Sequence, residues 1–407
     1  MSRSGGFSRA RLARLSDALR AYVDSGAVAG AVGLVCRHDE VHAEVVGMQD
    51  LTSKTPMRRD TIFRLASVTK PIAAAAAMIL VEETKLRLDE PVDRYLPELV
   101  NRRVLKSLDS PLDDTVPARR PITLRDLLTF RLGFGAIMAA PGTYPIQQAV
   151  ADAGLAPGPG LPTLTPDDWM ARLGSLPLMH QPGERWLYHT GFDILGVLIA
   201  RAAGQPLDTF MAERLFTPVG MLDAGFHVPL AKMDRFATCY RIDDATGKLS
   251  VWDEARGGQW SRAPVFPGGG GGMVATADDC LAFGRMMRDF GRPHGTQEGA
   301  DRLLARPTIE AMTTDQLTPE QKAASPFFPG FWDNRGWGFG VAITTRRDGP
   351  ASVPGQYGWI GGTGTTLRID PREGIVAVLL TQRLMRSADD TKISDDFLTL
   401  AYQAIDN

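Results

Sequence analysis

The stretch IFRLASVTKPIAAAAAMIL, residues 62–80, places a serine directly before a long alanine-rich apolar run. The run is typical of a close-packed buried helix, predicted over residues 67–85. Lys70 follows Ser67 by three places, and residues three apart lie on one face of a helix. A lysine whose pKa is lowered by burial can take the serine proton and create a nucleophile. On this stretch alone, the favoured interpretation is a helix-capping serine beside a solvent-reaching lysine.

The composition limits the classes of protein to consider. The 407 residues are 44% hydrophobic and 23% charged, with a net charge of −2, which is typical of globular proteins. This charge argues against nucleic acid as a partner. The three cysteines, Cys36, Cys239 and Cys280, are expected to be reduced core residues. No His/Cys cluster predicts a metal, and no cofactor is expected.

The N-terminal residues predict a basic amphipathic helix rather than a signal peptide. No run of 18 apolar residues without charge predicts a membrane span. We therefore expect a cytoplasmic protein that does not associate with membranes. The sequence leaves the oligomeric state open.

Candidate strands lie at both ends of the chain. Residues 28–37 and 41–49 predict an antiparallel hairpin, and short apolar segments between turn residues predict further strands near the C-terminus. The middle is mainly helical, with predicted caps at Thr123 and Thr276 and a closing glycine at Gly204. A Pro/Gly-rich segment, 139–166, predicts a long loop that borders the functional site.

The predicted fold class is α/β of the α+β kind. One antiparallel sheet is built from both chain ends and flanked by helices, and a mostly helical subdomain completes the fold. The predicted sheet domain comprises residues 1–65 and 330–407, and the helical subdomain comprises residues 66–329. The site is expected at their junction.

Two later stretches favour chemistry at Ser67. QPGERWLYHTGFDILG, residues 181–196, places Tyr188 ahead of a helix, and a phenol whose pKa is lowered by a nearby lysine can relay protons. YGWIGGTGTTLRIDP, residues 357–371, predicts a Gly-rich bend where backbone N–H groups can approach a substrate carbonyl. A packed tyrosine and a sheet bulge are the structural alternatives. No Gly-x-Ser-x-Gly motif occurs, and no histidine has an evident serine or aspartate partner.

Together, FRLASVTKPI, PGERWLYHTGFDILG and YGWIGGTGTTLRIDP resemble the three motifs of the serine β-lactamase and penicillin-binding-protein superfamily. The resemblance covers nearly the whole chain and is greatest to the branch with class C β-lactamases and family VIII carboxylesterases. It implies Ser67 as the acylated nucleophile, Lys70 as its base or as the residue that tunes the base, and Tyr188 as the proton relay. It also implies an oxyanion hole formed by the backbone N–H groups of Ser67 and Gly362.

The sequence departs from this pattern at informative positions. Trp359 opens the third motif, which Gly361 completes, where β-lactamases and DD-peptidases have a Lys or His that can pair with a substrate carboxylate. A carboxylate there would lack a charge-assisted hydrogen bond of about 1.5–3 kcal/mol, a loss in affinity of about tenfold to hundredfold. A neutral ester loses nothing and gains aromatic contact. Thr190 replaces the Asn of the second motif, and Phe130-Arg131 replaces a His-Thr pair for no evident reason.

These features predict a serine carboxylesterase that hydrolyses short-chain neutral esters through an acyl-enzyme at Ser67. The alternatives are an acyltransferase to an alcohol or amine, a β-lactamase or DD-peptidase-type hydrolase with weak lactam activity, and a catalytically dead binding protein. Trp359, Gly361 and Thr190 are predicted to contact the substrate. Four aromatic residues either line an acyl pocket or pack on the sheet: Phe327, Phe328, Trp332 and Trp337.

Overall fold

A computed structural model describes residues 6–295 and 301–406. Its strands, in chain order, are β1 Gly30–Arg37, β2 Glu40–Asp50, β3 Thr55–Pro56, β4 Phe63–Arg64, β5 Arg103–Leu105, β6 Thr115–Pro117, β7 Cys239–Ile242, β8 Leu249–Asp253, β9 Val274–Ala275, β10 Arg335–Trp337, β11 Ala342–Thr344, β12 Tyr357–Gly361, β13 Thr365–Asp370 and β14 Ile375–Thr381. Eight strands form one antiparallel sheet in the order β10-β11-β12-β13-β14-β1-β2-β3. The three strand pairs β4–β9, β5–β6 and β7–β8 form small separate sheets.

The two ends of the chain meet in the centre of the large sheet. Strand β1 pairs with β14, so that Val32 lies opposite Leu380 and Val35 opposite Ala377. Both strands are buried along their whole length, which explains their continuous apolar sequences. The predicted α+β fold with a sheet from both chain ends is confirmed.

The helices, in chain order, are α1 Arg9–Asp24, α2 Thr69–Glu82, α3 Leu124–Leu128, α4 Pro145–Asp152, α5 Pro166–Ser175, α6 Thr190–Ala203, α7 Leu207–Met211, α8 Thr217–Val219, α9 Ala277–Arg288, α10 Arg306–Met312, α11 Pro319–Ala323 and α12 Lys392–Gln403. Thr123 and Thr276 cap α3 and α9 with capping boxes, and Gly204 ends α6 in the left-handed conformation. These three predicted helix ends are confirmed.

Helices cover both faces of the sheet. On one face, α1 and α12 bury Leu15, Leu19 and Phe397 against β1 and β14. On the other face, α9 packs so closely that a Cβ on Gly284 would overlap the side chain of Val376. The predicted helical subdomain, residues 66–329, includes α9, although this helix packs on the sheet. The division of the chain into domains stays a prediction.

The predicted loop 139–166 contains one helix, α4, whose first residue is Pro145. Proline is compatible with the first turn of a helix, and Ile146 and Val150 on one face of α4 are buried. The sequence-based expectation of a continuous loop was therefore wrong for this part. The rest of the segment is irregular and reaches the site described below.

The three cysteines are free and buried. Within residues 6–295 and 301–406, no helix is long and apolar enough to cross a membrane. In the same ranges, no group of three or more His, Cys, Asp or Glu side chains is placed to hold a metal ion.

Candidate active site

Ser67 lies in a short 3-10 turn, Ala66–Val68, that leads directly into α2. The preceding backbone is fixed from two sides, because the Leu65 N–H donates to Met273 O and the Leu65 carbonyl accepts from Thr365 Oγ1. A Cβ on Gly361 would overlap Leu65 O and lie 3.2 Å from Ser67 N. Only glycine therefore lets the end of β12 lie this close to the Ser67 backbone.

Lys70 is fully buried one helical turn after Ser67, and its Nζ donates to Ser67 Oγ at 2.9 Å. The alanines that follow have small side chains, so neighbouring elements pack closely around α2 and bury it on all sides. Burial lowers the pKa of Lys70 from its ordinary value to about 7, and the Asp193 carboxylate opposes this shift. At neutral pH a substantial fraction of Lys70 is thus an uncharged amine, which can accept a proton from Ser67.

The five-glycine segment 268–272 supplies a second partner for Lys70. The Gly270 carbonyl accepts a hydrogen bond from Nζ, and the Gly270 N–H donates to Asp193 Oδ1 at 3.1 Å. A Cβ on Gly269 would come within 2.5 Å of Phe192 O. The absence of side chains is what allows this segment to pack directly on α6 and reach Lys70.

His189 is the third partner of Lys70, and its Nδ1 lies 3.3 Å from Nζ. Its other ring nitrogen, Nε2, lies 3.2 Å from Asp193 Oδ2. Burial lowers the pKa of His189, and the nearby Lys70 adds to this effect, so the ring is neutral. In this arrangement Nε2–H donates to Asp193 and Nδ1 accepts from Lys70.

The sequence analysis missed His189 and Asp193. The statement that no histidine has an evident aspartate partner is wrong for His189. A signal was present, because Asp193 follows it by four residues and this spacing places two side chains on one face of a helix. His189 immediately precedes α6, which begins at Thr190.

Tyr188 is held in an aromatic cluster beside this network. Its hydroxyl accepts a hydrogen bond from Trp359 Nε1 at 2.6 Å, and Lys70 Nζ lies 4.7 Å from the centre of its ring. The expectation that the lysine lowers the Tyr188 pKa was wrong. Burial raises this pKa, and interactions with Ser67 and Trp359 only partly oppose the shift. Tyr188 is therefore a protonated phenol that can donate.

The structure shows what the Phe130-Arg131 pair contacts. The Phe130 ring packs edge-on against Tyr188 with centroids 5.1 Å apart, and its carbonyl accepts from Leu187 N at 2.8 Å. The Arg131 carbonyl accepts from Gly183 N at 2.7 Å, and its Nε donates to Thr129 Oγ1. Both residues hold in place the segment that ends at Tyr188.

Three residues of the site region have a strained backbone. Ala66, Phe130 and His189 have φ values of 45°, 56° and 82°, which are uncommon for residues other than glycine. Each costs about 1–3 kcal/mol and persists because the surrounding structure fixes it. Ala66 directly precedes Ser67, His189 directly follows Tyr188, and the Phe130 ring packs against Tyr188, so the strain lies where side-chain direction matters most.

A cavity of about 630 Å³ opens beside Ser67. Six further predicted site residues line it: Tyr188, Thr190, Phe327, Phe328, Trp359 and Gly362. Lys70 lies beneath Ser67 and out of contact with solvent. Residues 154–163 of the Pro/Gly-rich segment also line the cavity, as expected for a loop that borders the site.

Trp332 and Trp337 are outside the lining of this cavity. Trp337 is fully buried and packs edge-on against Trp359 with centroids 4.7 Å apart. Trp332 packs on Trp186, and its Nε1 donates to Ser325 O. The structure thus favours the packing alternative for these two residues. They support the side chains that line the cavity.

Comparisons with known proteins show which family this chain belongs to. The family model described as Beta-lactamase matches residues 15–398. Protein Rv1367c of Mycobacterium tuberculosis is 38% identical over 370 residues, which cover 89% of this chain and 88% of that protein. Esterase EstB of Burkholderia gladioli is 32% identical over 373 residues, which cover 86% and 85% of the two chains.

A solved structure gives the same fold. EstCE1, described as a hydrolase with promiscuous acyltransferase activity, superposes with a TM-score of 0.78 and 25% identity. The match covers 98% of this chain and 99% of EstCE1. Because the family model spans nearly the whole chain and a named esterase exceeds 30% identity, this protein belongs to the beta-lactamase family and is a serine hydrolase.

Proposed function

We propose that this protein is a serine carboxylesterase for short-chain esters that carry no charge next to the scissile bond. The observation that supports this most strongly is the buried Lys70 amine, 2.9 Å from Ser67 Oγ. A base with a pKa near the ambient pH is well suited to general base catalysis. Trp359 on the cavity wall offers an indole where a substrate carboxylate would need a cation.

In the proposed acylation step, Lys70 takes the proton of Ser67, and Oγ attacks the ester carbonyl carbon. The N–H groups of Ser67 and Gly362 stabilise the oxyanion that forms. Tyr188 gives its proton to the leaving alkoxide as the ester C–O bond breaks, and Lys70 restores that proton. Water then attacks the acyl-enzyme with the same groups in reverse roles, which releases the acid and regenerates Ser67.

His189 and Asp193 are proposed as positioning residues in this scheme. Neutral His189 accepts a hydrogen bond from Lys70 through Nδ1, and Asp193 fixes the ring by accepting from Nε2. The amine is thereby aimed at Ser67, and the nearby carboxylate partly offsets the lowering of the Lys70 pKa by burial. The pH dependence of the reaction reports on this role.

The test compares hydrolysis of p-nitrophenyl butyrate by the wild type and by Ser67→Ala. We expect kcat/KM to fall by about 10³-fold or more, and a butyryl group to appear on the Ser67 peptide of the wild type. Ser53→Ala, at an exposed turn serine, is the matched control and should retain full activity. Full activity in Ser67→Ala would contradict the assignment, and faster turnover of a chromogenic cephalosporin would contradict the argument from Trp359.

Acyl transfer is the second candidate. EstCE1 is described as a hydrolase with promiscuous acyltransferase activity, and the same acyl-enzyme can react with an alcohol or with water. An added primary alcohol would then divert product from butyrate to the new ester. Product ratios by gas chromatography measure the partition between the two reactions.

A further inference from the structure

Two arginines stand on the wall of the cavity that opens beside Ser67. Arg335 belongs to β10 and Arg368 to β13, and both side chains are half-buried. Residue 358, directly opposite Arg368 on β12, is a glycine, so no β12 side chain stands beside Arg368 at that position. The candidate active site uses neither arginine.

Neither guanidinium has a counter-ion in the described part of the chain. No carboxylate oxygen lies within 4.0 Å of Arg335 or Arg368, and neither side chain has a hydrogen-bond partner among the described residues. By contrast, the more deeply buried Arg64 is paired with Asp253. Charged groups that are partly withdrawn from water are normally paired, so two half-buried, unpaired guanidinium groups side by side on a cavity wall suit an anionic ligand.

The carboxylates whose charge acts on these arginines are engaged elsewhere. Asp395, on α12, accepts a hydrogen bond from Thr391 Oγ1, and Asp348 accepts one from Asn334. Their carboxylates act on Arg335 only over longer range. Burial lowers the pKa of Arg368 to about 10, and repulsion from Arg335 contributes to the shift. The Arg368 guanidinium remains protonated at neutral pH, and the two groups lie close enough to repel each other.

Aromatic rings hold the first arginine in place. The Arg335 guanidinium lies 5.1 Å from the ring centre of Phe331, which compensates part of its lost hydration. Phe328 and Phe331 also line the cavity, together with Trp359. An apolar wall that leads to two cations suits a hydrocarbon chain that ends in an anion.

We propose that Arg335 and Arg368 bind a carboxylate at the far end of the ester substrate. The proposal rests on the proposed esterase function and narrows its substrate class. The scissile ester remains uncharged beside Trp359, and a carboxylate separated from it by several methylene groups is held by the guanidinium forks. Monoesters of dicarboxylic acids and acylated hydroxy acids have this chemistry.

The test uses matched pairs of esters that differ in one group. One pair is the mono-p-nitrophenyl ester of adipic acid and its analogue with a primary amide in place of the free carboxyl. The second pair is 6-butyryloxyhexanoate and its primary amide, which places the charge in the alcohol half. We expect the wild type to favour the carboxylate member of one pair by about tenfold or more in kcat/KM.

Arg335→Gln and Arg368→Gln should each abolish most of that preference and change kcat/KM for the amide member by no more than about twofold. Arg346→Gln and Arg347→Gln, at exposed positions between β11 and β12, are the matched controls and should keep the preference. Calorimetry on Ser67→Ala gives a second readout, because the intact carboxylate ester should bind about tenfold more tightly than its amide.

The outcomes separate the two proposals. If both members of each pair are hydrolysed at equal rates, the carboxylate subsite is overturned. The esterase proposal would still stand, because the esters that carry a primary amide are hydrolysed. Equal binding to Ser67→Ala would overturn the carboxylate subsite in the same way. Failure of the wild type to hydrolyse any of the four esters would instead count against the esterase function itself.

Discussion

Lys70 has three hydrogen-bonding neighbours, namely Ser67 Oγ, Gly270 O and His189 Nδ1. A protonated lysine can donate to all three at once, and an uncharged one has a lone pair for the serine proton. Burial brings these two states near balance at neutral pH. The residue is therefore able to cycle between acceptor and donor during a reaction with little cost in free energy.

The first prediction from this balance concerns pH. Since only the uncharged amine can accept the Ser67 proton, kcat/KM for p-nitrophenyl butyrate should fall as the pH drops through about 7. Asp193 raises the Lys70 pKa, so Asp193→Asn should move this acidic limb to lower pH. Stopped-flow measurements of kcat/KM from pH 5 to 9 locate the acidic limb in the wild type and in Asp193→Asn.

Asp24→Asn, at the exposed end of α1, provides the control and should leave the limb in place. A limb that stays near 7 in Asp193→Asn would show that this carboxylate does not tune the base. A purely structural role for Asp193 would lower the rate at every pH equally.

A second residue-scale prediction concerns the Trp359 indole. Trp359→Phe keeps an aromatic ring but removes the hydrogen bond to Tyr188. The net loss of about 0.5–1.5 kcal/mol corresponds to a drop in kcat of about twofold to tenfold. Trp332→Phe also removes an indole donor, but from a bond to Ser325 O outside the cavity. Unchanged kcat in Trp359→Phe, or an equal loss in Trp332→Phe, would refute a role for the Trp359–Tyr188 bond.

At the scale of elements, the close contact of α9 with the sheet depends on Gly284. Gly284→Ala should raise helix propensity by up to about 1 kcal/mol but force an overlap with Val376 that costs about 1–3 kcal/mol. We therefore expect a lower free energy of unfolding in urea. Combining it with Val376→Ala removes the overlapping methyl group.

In that double-mutant cycle the two changes should be less harmful together than their sum, since they share one contact. Strict additivity would show that α9 moves away from β14 at no cost. The prediction thus separates a rigid helix–sheet contact from an adaptable one.

Local sequence predicted where several helices begin or end, but it did not predict which elements pack against each other. The capping boxes at Thr123 and Thr276 and the closing Gly204 could be placed because each acts on its own helix end. The contact between Gly270 and Lys70 could not, because it joins residues 200 positions apart.

On the scale of the whole molecule, a buried ion pair connects the segment before Ser67 to the β7–β8 hairpin. Arg64 Nε donates to Asp253 Oδ2 at 2.8 Å, and its side chain also binds the Ala237 carbonyl. Arg64→Met would leave Asp253 buried and unpaired, which should lower the free energy of unfolding by about 3–5 kcal/mol. Urea denaturation followed by tryptophan fluorescence measures the loss.

Arg64→Met with Asp253→Leu should recover much of that stability, because no uncompensated charge remains. Arg20→Met, in an exposed pair with Asp17, should change stability by no more than about 0.5 kcal/mol. A small loss in Arg64→Met alone would mean that water reaches Asp253 in the folded state.

The sequence by itself determined the fold class and the helix ends at Thr123, Thr276 and Gly204, because these depend on local spacing and on motifs. It also predicted Ser67, Lys70 and Tyr188 as the catalytic residues. Only the tertiary structure decided what surrounds Lys70 and Tyr188. Burial, which depends on all the packed layers together, lowers the pKa of Lys70 and raises that of Tyr188. The tertiary structure also places Arg335 and Arg368 on the wall of the cavity that Ser67 lines. No local sequence pattern encodes this arrangement of strands β10 and β13.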